Sequence, residues 1–192
     1  MLDPYNHAHS HFEEISWSKL NELLIRLAET IQRDYRPDLV VGIAKGGVIP
    51  GVYLSSAFRV DFLPIKLSCR NNEEIISTQP IWRVYPTDLV KGKRVLVVDD
   101  IIIAARTLKM AVEEIRTKGA KEIRTATLAA HSDSIRPDWV AFVTDALIIW
   151  PWDRDMLTPE GKWIMNPEYM KAIRELPDFH PASSPKDEEQ NG

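Results

Sequence analysis

The sequence is short of basic charge, of cysteine and of long apolar runs, and each shortage excludes something. Lys and Arg number 24 against 28 Asp and Glu, a formal net charge of −4. General nucleic-acid binders are basic, so no nucleic-acid partner is expected. One cysteine, Cys69, excludes an internal disulfide framework and suits a reducing compartment. No apolar run approaches the roughly 20 residues that span a bilayer. The opening MLDPYNHAHSHF has no basic segment followed by an apolar one, so no secretory signal is expected and the cytoplasm is the expected location. Its alternating His7, His9 and His11 are read as surface residues rather than a metal site. No Walker loop, zinc-ligand spacing or Ser-His-Asp order is present.

What is there reads as one α/β domain. The 192 residues suit a single core. The expected organisation is an extension over 1–14, a domain over 15–180 and a disordered tail over 181–192, rich in Pro, Ser and charge. Leu20, Leu23, Leu24, Leu27, Ala28 and Ile31 share one helical face, with Ser16 as N-cap and Pro37 past the exit. LVVGIA (Leu39–Ala44) and RVLVVDD (Arg94–Asp100) are short apolar runs, as expected for buried parallel strands. Further strands are expected at Val60–Leu67, near an edge because of Pro64, and at Glu122–Ala130 and Ala146–Trp150. Lys45–Phe58 reads as a loop entering a helix. Leu108, Ala111, Val112 and Ile115 form a second helical stripe closed by Gly119. Cys69–Lys91 has little periodicity and is expected to be a long loop or a small hairpin. Strands alternating with helices imply a mainly parallel sheet with helices on both faces.

Ligands of such sheets bind beyond the carboxyl ends of the strands. Two such ends carry chemistry, GIAKGG (Gly42–Gly47) and VLVVDDIIIAARTL (Val95–Leu108). The second delivers adjacent carboxylates, Asp99 and Asp100, just before a helix start. Carboxylates for hydroxyls beside free helical N–H groups for a phosphate suit a ribose 5-phosphate. Two acids can equally end a strand and cap a helix, and the pair alone leaves both readings open.

Val95–Leu108 resembles the signature of type I phosphoribosyltransferases, which use 5-phosphoribosyl 1-pyrophosphate (PRPP). GIAKGG resembles that family's pyrophosphate loop. ISWSKL, KGKRVLVVDD, KEIRTATL and IRPDWVAFVTDALIIWPWD are similar to its purine branch, which handles hypoxanthine, guanine and xanthine, and to archaeal relatives. The resemblance runs from Ile15 to Arg154. It implies the type I phosphoribosyltransferase fold, with a small hood beside the sheet. It also implies phosphoribosyl transfer to a purine-like base, yielding a nucleoside monophosphate and pyrophosphate, as in purine salvage. Lys45, Gly46 and Gly47 would line the pyrophosphate loop, with a strained or cis peptide at Ala44–Lys45. Asp99 and Asp100 would hold the ribose, with Asp100 as the catalytic residue. Ala104, Ala105, Arg106 and Thr107 would occupy the 5′-phosphate loop. Ile148 and Trp150 would lie at the base, although Trp150 and Trp152 suit hydrophobic packing equally. Asp99 and Asp153 would meet Mg²⁺. A homodimer is expected, by likeness to the family and from the apolar second helix and following strand.

The departures from the family weigh against full activity. Ile103 stands where an Asp would accept the proton of the base, a role worth about 10²–10⁴-fold in rate. Ala104 lacks a phosphate-binding hydroxyl, and Ala105 replaces a glycine. Leu147 stands for a base-stacking aromatic, and His131 for a lysine that would read a 6-oxo group. Impaired transfer is therefore expected. The alternative is a non-catalytic protein that binds a nucleotide or PRPP on the same fold.

Overall fold

A computed structural model describes residues 9, 11–71, 74, 75, 79–103 and 105–176. In chain order the elements are β1 (Phe12–Glu14), α1 (Trp17–Asp34), β2 (Leu39–Ile43), α2 (Val48–Phe58), β3 (Asp61–Ser68), β4 (Arg70–Asn71), β5 (Glu74–Ile75), β6 (Ile81–Val84), β7 (Arg94–Ile102), α3 (Arg106–Thr117), β8 (Glu122–Ala130), β9 (Trp139–Val143), β10 (Leu147–Ile149), β11 (Asp155–Leu157), β12 (Trp163–Met165) and α4 (Pro167–Arg174). A 3-10 turn spans Asp88–Val90. The chain divides into two compact units. The larger contains Ser16–Asp145, and the smaller contains Ala8–Ile15 with the chain from Ala146 onward.

The larger unit is built on a six-stranded sheet in the order β6-β3-β2-β7-β8-β9. Every neighbouring pair is parallel except β3 with β6. All five residues of β2 are buried, as a central parallel strand covered on both faces requires. Alternation then sorts the side chains. Leu39, Val41, Ile43, Val95 and Val97 join Leu108, Ala111 and Ile115 of α3 in one core cluster. On the other face Phe62 packs its ring against Gly42 of β2 and Gly51 of α2, where an added Cβ would lie 2.6–2.8 Å from ring atoms. Helices thus cover both faces of the mainly parallel sheet. Helix α1 forms where its stripe predicts, buries Leu20, Leu23, Leu24, Leu27 and Ile31, and has its first turn capped by Ser16, whose Oγ accepts the Lys19 N–H at 3.1 Å.

Some elements differ from expectation, for physical reasons. Strand β3 does lie near an edge, second from it, because β6 adds antiparallel outside it. Pairing with β6 begins only at Lys66, so Pro64 and its missing N–H lie on a stretch flanked by β2 alone. The segment expected as a loop or hairpin over Cys69–Lys91 supplies both the small β4–β5 pair and that edge strand. The far edge is β9, whose partly buried residues give no clear alternation. The apolar run at 146–150 is a strand, but it pairs with β1 and not with the main sheet. In the smaller unit β11 and β12 form an antiparallel pair, and Tyr169 and Ile173 of α4 pack on Leu147 and Ile149.

Candidate functional site

Strand β7 carries the two acids to the carboxyl end of the sheet. The β2–α2 loop arrives beside it because β2 and β7 are paired neighbours. A Cβ built on Gly46 would lie 2.2 Å from both Cγ and Oδ2 of Asp100, so Gly46 lies against that carboxylate. A Cβ on Gly47 would lie 2.3 Å from the Val98 carbonyl oxygen. Only glycines allow this approach. The Ala44–Lys45 peptide is cis, as the sequence resemblance implied, and Lys45 is exposed. The following helix, α2, has Gly47 as its N-cap and no side-chain cap. Helix α3 begins after Ala105, again with no side-chain cap. Neither helix start has a side-chain acceptor, though at α2 the Val48 N–H already donates to the Lys45 carbonyl at 3.1 Å and Pro50 has no N–H.

The acids do not share one orientation. Alternation sends the Asp100 side chain toward the face of α2 and Gly46, and the Asp99 side chain toward the face of α3. The Asp99 carboxylate accepts the N–H of Asp100 at 3.0 Å, and that of Asp100 accepts the N–H of Ile101 at 2.8 Å. Burial, and then the neighbouring Asp100 charge, push the Asp99 carboxyl well above the ordinary carboxylate range. A cation or a ribose hydroxyl at this pair would relieve that repulsion.

The strand does not stop at the acids. Ile101 and Ile102 stay in the ladder opposite Ala129 and Ala130, and the His131 N–H donates to the Ile102 carbonyl at 3.0 Å. Only residues 103–105 separate β7 from α3. Ile103 and Ala105 are partly buried, Arg106 and Thr107 open the helix, and Ala104 lies outside the described residues. His131 is buried, with Nδ1 4.0 Å from Asp145 Oδ1. The Ser132 N–H and hydroxyl hold that carboxylate and keep its pKa low.

The remaining candidates belong to the smaller unit. Ile148 is buried in β10, and Trp150 is 4% exposed. Trp150 stacks on Trp152 with centroids 5.0 Å apart and planes 7° apart. Asp153 is held by two residues that sequence reasoning missed. The Asn166 side-chain amide donates to its carbonyl at 3.2 Å, and the Tyr169 hydroxyl donates to its carboxylate at 3.4 Å. The Asn166-Pro167 pair, a helix-start signal, marked the place but not the partner. Asp99 and Asp153, both expected at Mg²⁺, thus lie in different units. Among the described residues no cluster of three or more His, Cys, Asp or Glu side chains is placed to hold a metal.

Known proteins resemble the chain over this framework. The phosphoribosyl transferase domain family matches residues 16–157. The solved purine phosphoribosyltransferase of Pyrococcus horikoshii is 32% identical with a TM-score of 0.66, over 73% of this chain and 93% of that one. The xanthine-guanine-hypoxanthine phosphoribosyltransferase of Helicobacter pylori shares the fold at 20% identity and a TM-score of 0.63, over 74% of this chain and 93% of that one. Adenine phosphoribosyltransferase of Neisseria meningitidis serogroup B is 30% identical over 118 residues, which are 58% of this chain and 63% of that protein. A phosphoribosyltransferase domain-containing protein of Xenopus laevis is 34% identical over 92 residues, 45% of this chain but only 39% of that protein. The chain therefore spans less than two thirds of the length of these last two relatives. With a family match covering the sheet, the glycine loop and both acids, the chain belongs to the phosphoribosyl transferase domain family.

Proposed function

We propose that the protein binds PRPP and transfers its phosphoribosyl group to a purine-like base, at a rate held down by the segment after the acids. The observation that carries this reading is the contact of Gly46 with Asp100 at the carboxyl end of the sheet. It sets backbone N–H groups of a glycine loop beside a carboxylate, which suits a diphosphate next to a ribose. The start of α3, which has no side-chain cap, would meet a 5′-phosphate through backbone N–H groups, even though Ile103 and Ala105 bring no hydroxyl or acid.

The residues fit Mg²⁺ in the manner usual for that ion, which takes one or two carboxylates and completes its shell with substrate oxygens and water. Asp100, the acid that lies against Gly46, would hold it, and when bound it would supply charge that offsets the departing pyrophosphate. This chain's own groups do the rest. Asp100 orients the ribose while positive charge develops at C1, and the Gly46–Gly47 loop receives the leaving group. Ile103 offers no acceptor for the proton of the base, so that proton must leave to solvent or to the departing pyrophosphate.

The test is a melting-temperature series with PRPP and nucleoside monophosphates, with and without Mg²⁺. It is run beside turnover assays with hypoxanthine, guanine, xanthine and adenine. A ligand at about 100 times its Kd stabilises by about 2.7 kcal/mol, so binding is readable as a shift. Pyrophosphate release with a base supports the transferase. A PRPP shift with no turnover supports the second reading, a binding protein on the same fold, which the continuation of β7 through Ile102 favours. No shift and no turnover sinks both.

A further inference from the structure

Thr127 of β8 is wholly buried, and its hydroxyl oxygen has no hydrogen-bond partner among the described residues. The large majority of buried polar side-chain atoms have one. Packing does not account for this hydroxyl, because valine offers nearly the same shape without a polar atom. Thr127 lies opposite Val140 of β9, which joins Val97 and Ile123 around the core cluster on the α3 side of the sheet. Its other register neighbour is Asp99 of β7. Paired residues of parallel strands project to the same face, and their strands run about 4.8 Å apart. Thr125, the next residue of β8 on that face, donates its own hydroxyl to Asp138 at 2.7 Å. Of the two register neighbours of Thr127, only Asp99 carries a side-chain acceptor.

We propose that Thr127 is a positioning residue, whose hydroxyl closes onto the Asp99 carboxylate when a nucleotide engages the acid pair and so fixes the acid that orients the ribose. Thr127 has no exposed surface, so it cannot touch a substrate itself. The link runs through the backbone. Asp99 Oδ1 accepts the Asp100 N–H at 3.0 Å, where β7 turns Asp100 toward Gly46. Rotation of the Asp99 carboxylate about its own side-chain bonds brings an oxygen to the Thr127 hydroxyl. The β-branched threonine has few rotamers on a strand, so that hydroxyl is a fixed post and not a second moving part. A hydrogen bond made only in the bound state adds to affinity and not to folding stability. This role rests on the phosphoribosyl reading proposed above.

The experiment measures dissociation constants by calorimetry, on the full chain with Mg²⁺, for the 5′-monophosphates of inosine, guanosine, xanthosine and adenosine. The tightest of these is then compared with its 2′,3′-dideoxy form, which lacks the hydroxyls that the acid pair orients. Thr127→Val is expected to weaken the ribose nucleotide about 10-fold and to leave the dideoxy form within about 2-fold. Without nucleotide it is expected to melt no lower than wild type, since it removes a buried hydroxyl that has no partner. Thr127→Ser keeps the hydroxyl and is expected to stay within about 3-fold of wild type. In an Asp99→Ala background, Thr127→Val is expected to change affinity less than about 2-fold, because its partner is already gone. If Asp99→Ala fails to fold, the Val and Ser variants still decide the matter. Equal weakening of the ribose and dideoxy forms, or a melting point that falls along with affinity, assigns Thr127 to packing and overturns the role. An unchanged Thr127→Val overturns it as well, and so does a Thr127→Ser as weak as Thr127→Val. Failure of the wider reading looks different: the wild type then binds none of the nucleotides, and this role falls with it.

Discussion

At Gly46 a single hydrogen in place of a methyl group lets the loop touch Asp100, and a Cβ there would stand 2.2 Å from the carboxyl carbon. Gly46→Ala should therefore cost about 1–3 kcal/mol of stability and abolish the melting shift produced by PRPP with Mg²⁺. A variant that keeps the full shift would show the loop is not the diphosphate site. Asp99 makes a prediction of opposite sign. Its carboxyl is raised by burial and by the Asp100 charge, so the native state holds this proton more tightly than the unfolded state. Stability is complete below the ordinary carboxylate range and falls as pH climbs from there toward the raised value. Asp99→Asn keeps an oxygen for the Asp100 N–H and removes the buried charge. The ligand-free variant should melt about 2–5 °C above wild type at neutral pH, with the gap closing below about pH 4. An equal or lower melting point at neutral pH counts against a strained acid pair. At the altered segment, Ile103→Asp, Ala104→Thr and Ala105→Gly together should tighten nucleotide binding about 10–100-fold and raise turnover about 10²–10⁴-fold. If the folded triple variant binds nucleoside monophosphates no better, the segment is not what limits the site.

Elements here are held by their ends as well as by the core. Asp138 precedes β9 and clasps it to β8, accepting the Thr125 N–H at 2.8 Å, the Thr125 hydroxyl at 2.7 Å and Arg124 Nη1 at 2.9 Å. Burial acts to raise the Asp138 pKa, but the bonds from Thr125 and then Arg124 outweigh it and hold the carboxyl low. Its contribution is thus present above the ordinary carboxylate range and is lost as pH falls below it. Asp138→Ala should cost about 0.5–1.5 kcal/mol in urea unfolding at neutral pH and less in acid, since it removes the acceptor of the Thr125 N–H and hydroxyl. An equal loss at both pH values would assign the effect to packing. The same scale shows what periodicity could reveal. The stripe of α1 and the apolar run of β2 were visible because a local pattern fixes them. The pairing of β6 was not, because the weakly patterned Ile81–Val84 takes its state from the neighbours it meets.

For the molecule as a whole, the phosphoribosyltransferase frame explains why the chemistry-bearing residues are on loops and strand ends while β2 and β7 are apolar. A parallel sheet covered on both faces leaves only its carboxyl edge for polar work. No helix among the described residues is long and apolar enough to cross a membrane.

By itself the sequence determined the buried strands, the helical stripes, the Ser16 cap and the residues of the glycine loop and acid pair, because each depends on local pattern or on residue chemistry. It also carried enough of the phosphoribosyltransferase signature to imply the fold. Tertiary structure decided the rest. It sent Asp99 and Asp100 to opposite faces, because strand alternation separates neighbours. It carried β7 on through Ile102, because Ala129 and Ala130 were there to pair with it. It put Leu147–Ile149 beside Phe12–Glu14 rather than in the main sheet, a choice between partners 135 positions apart in register that no local pattern encodes. It also brought Gly46 against Asp100, residues far apart in the chain that meet only because β2 and β7 lie side by side.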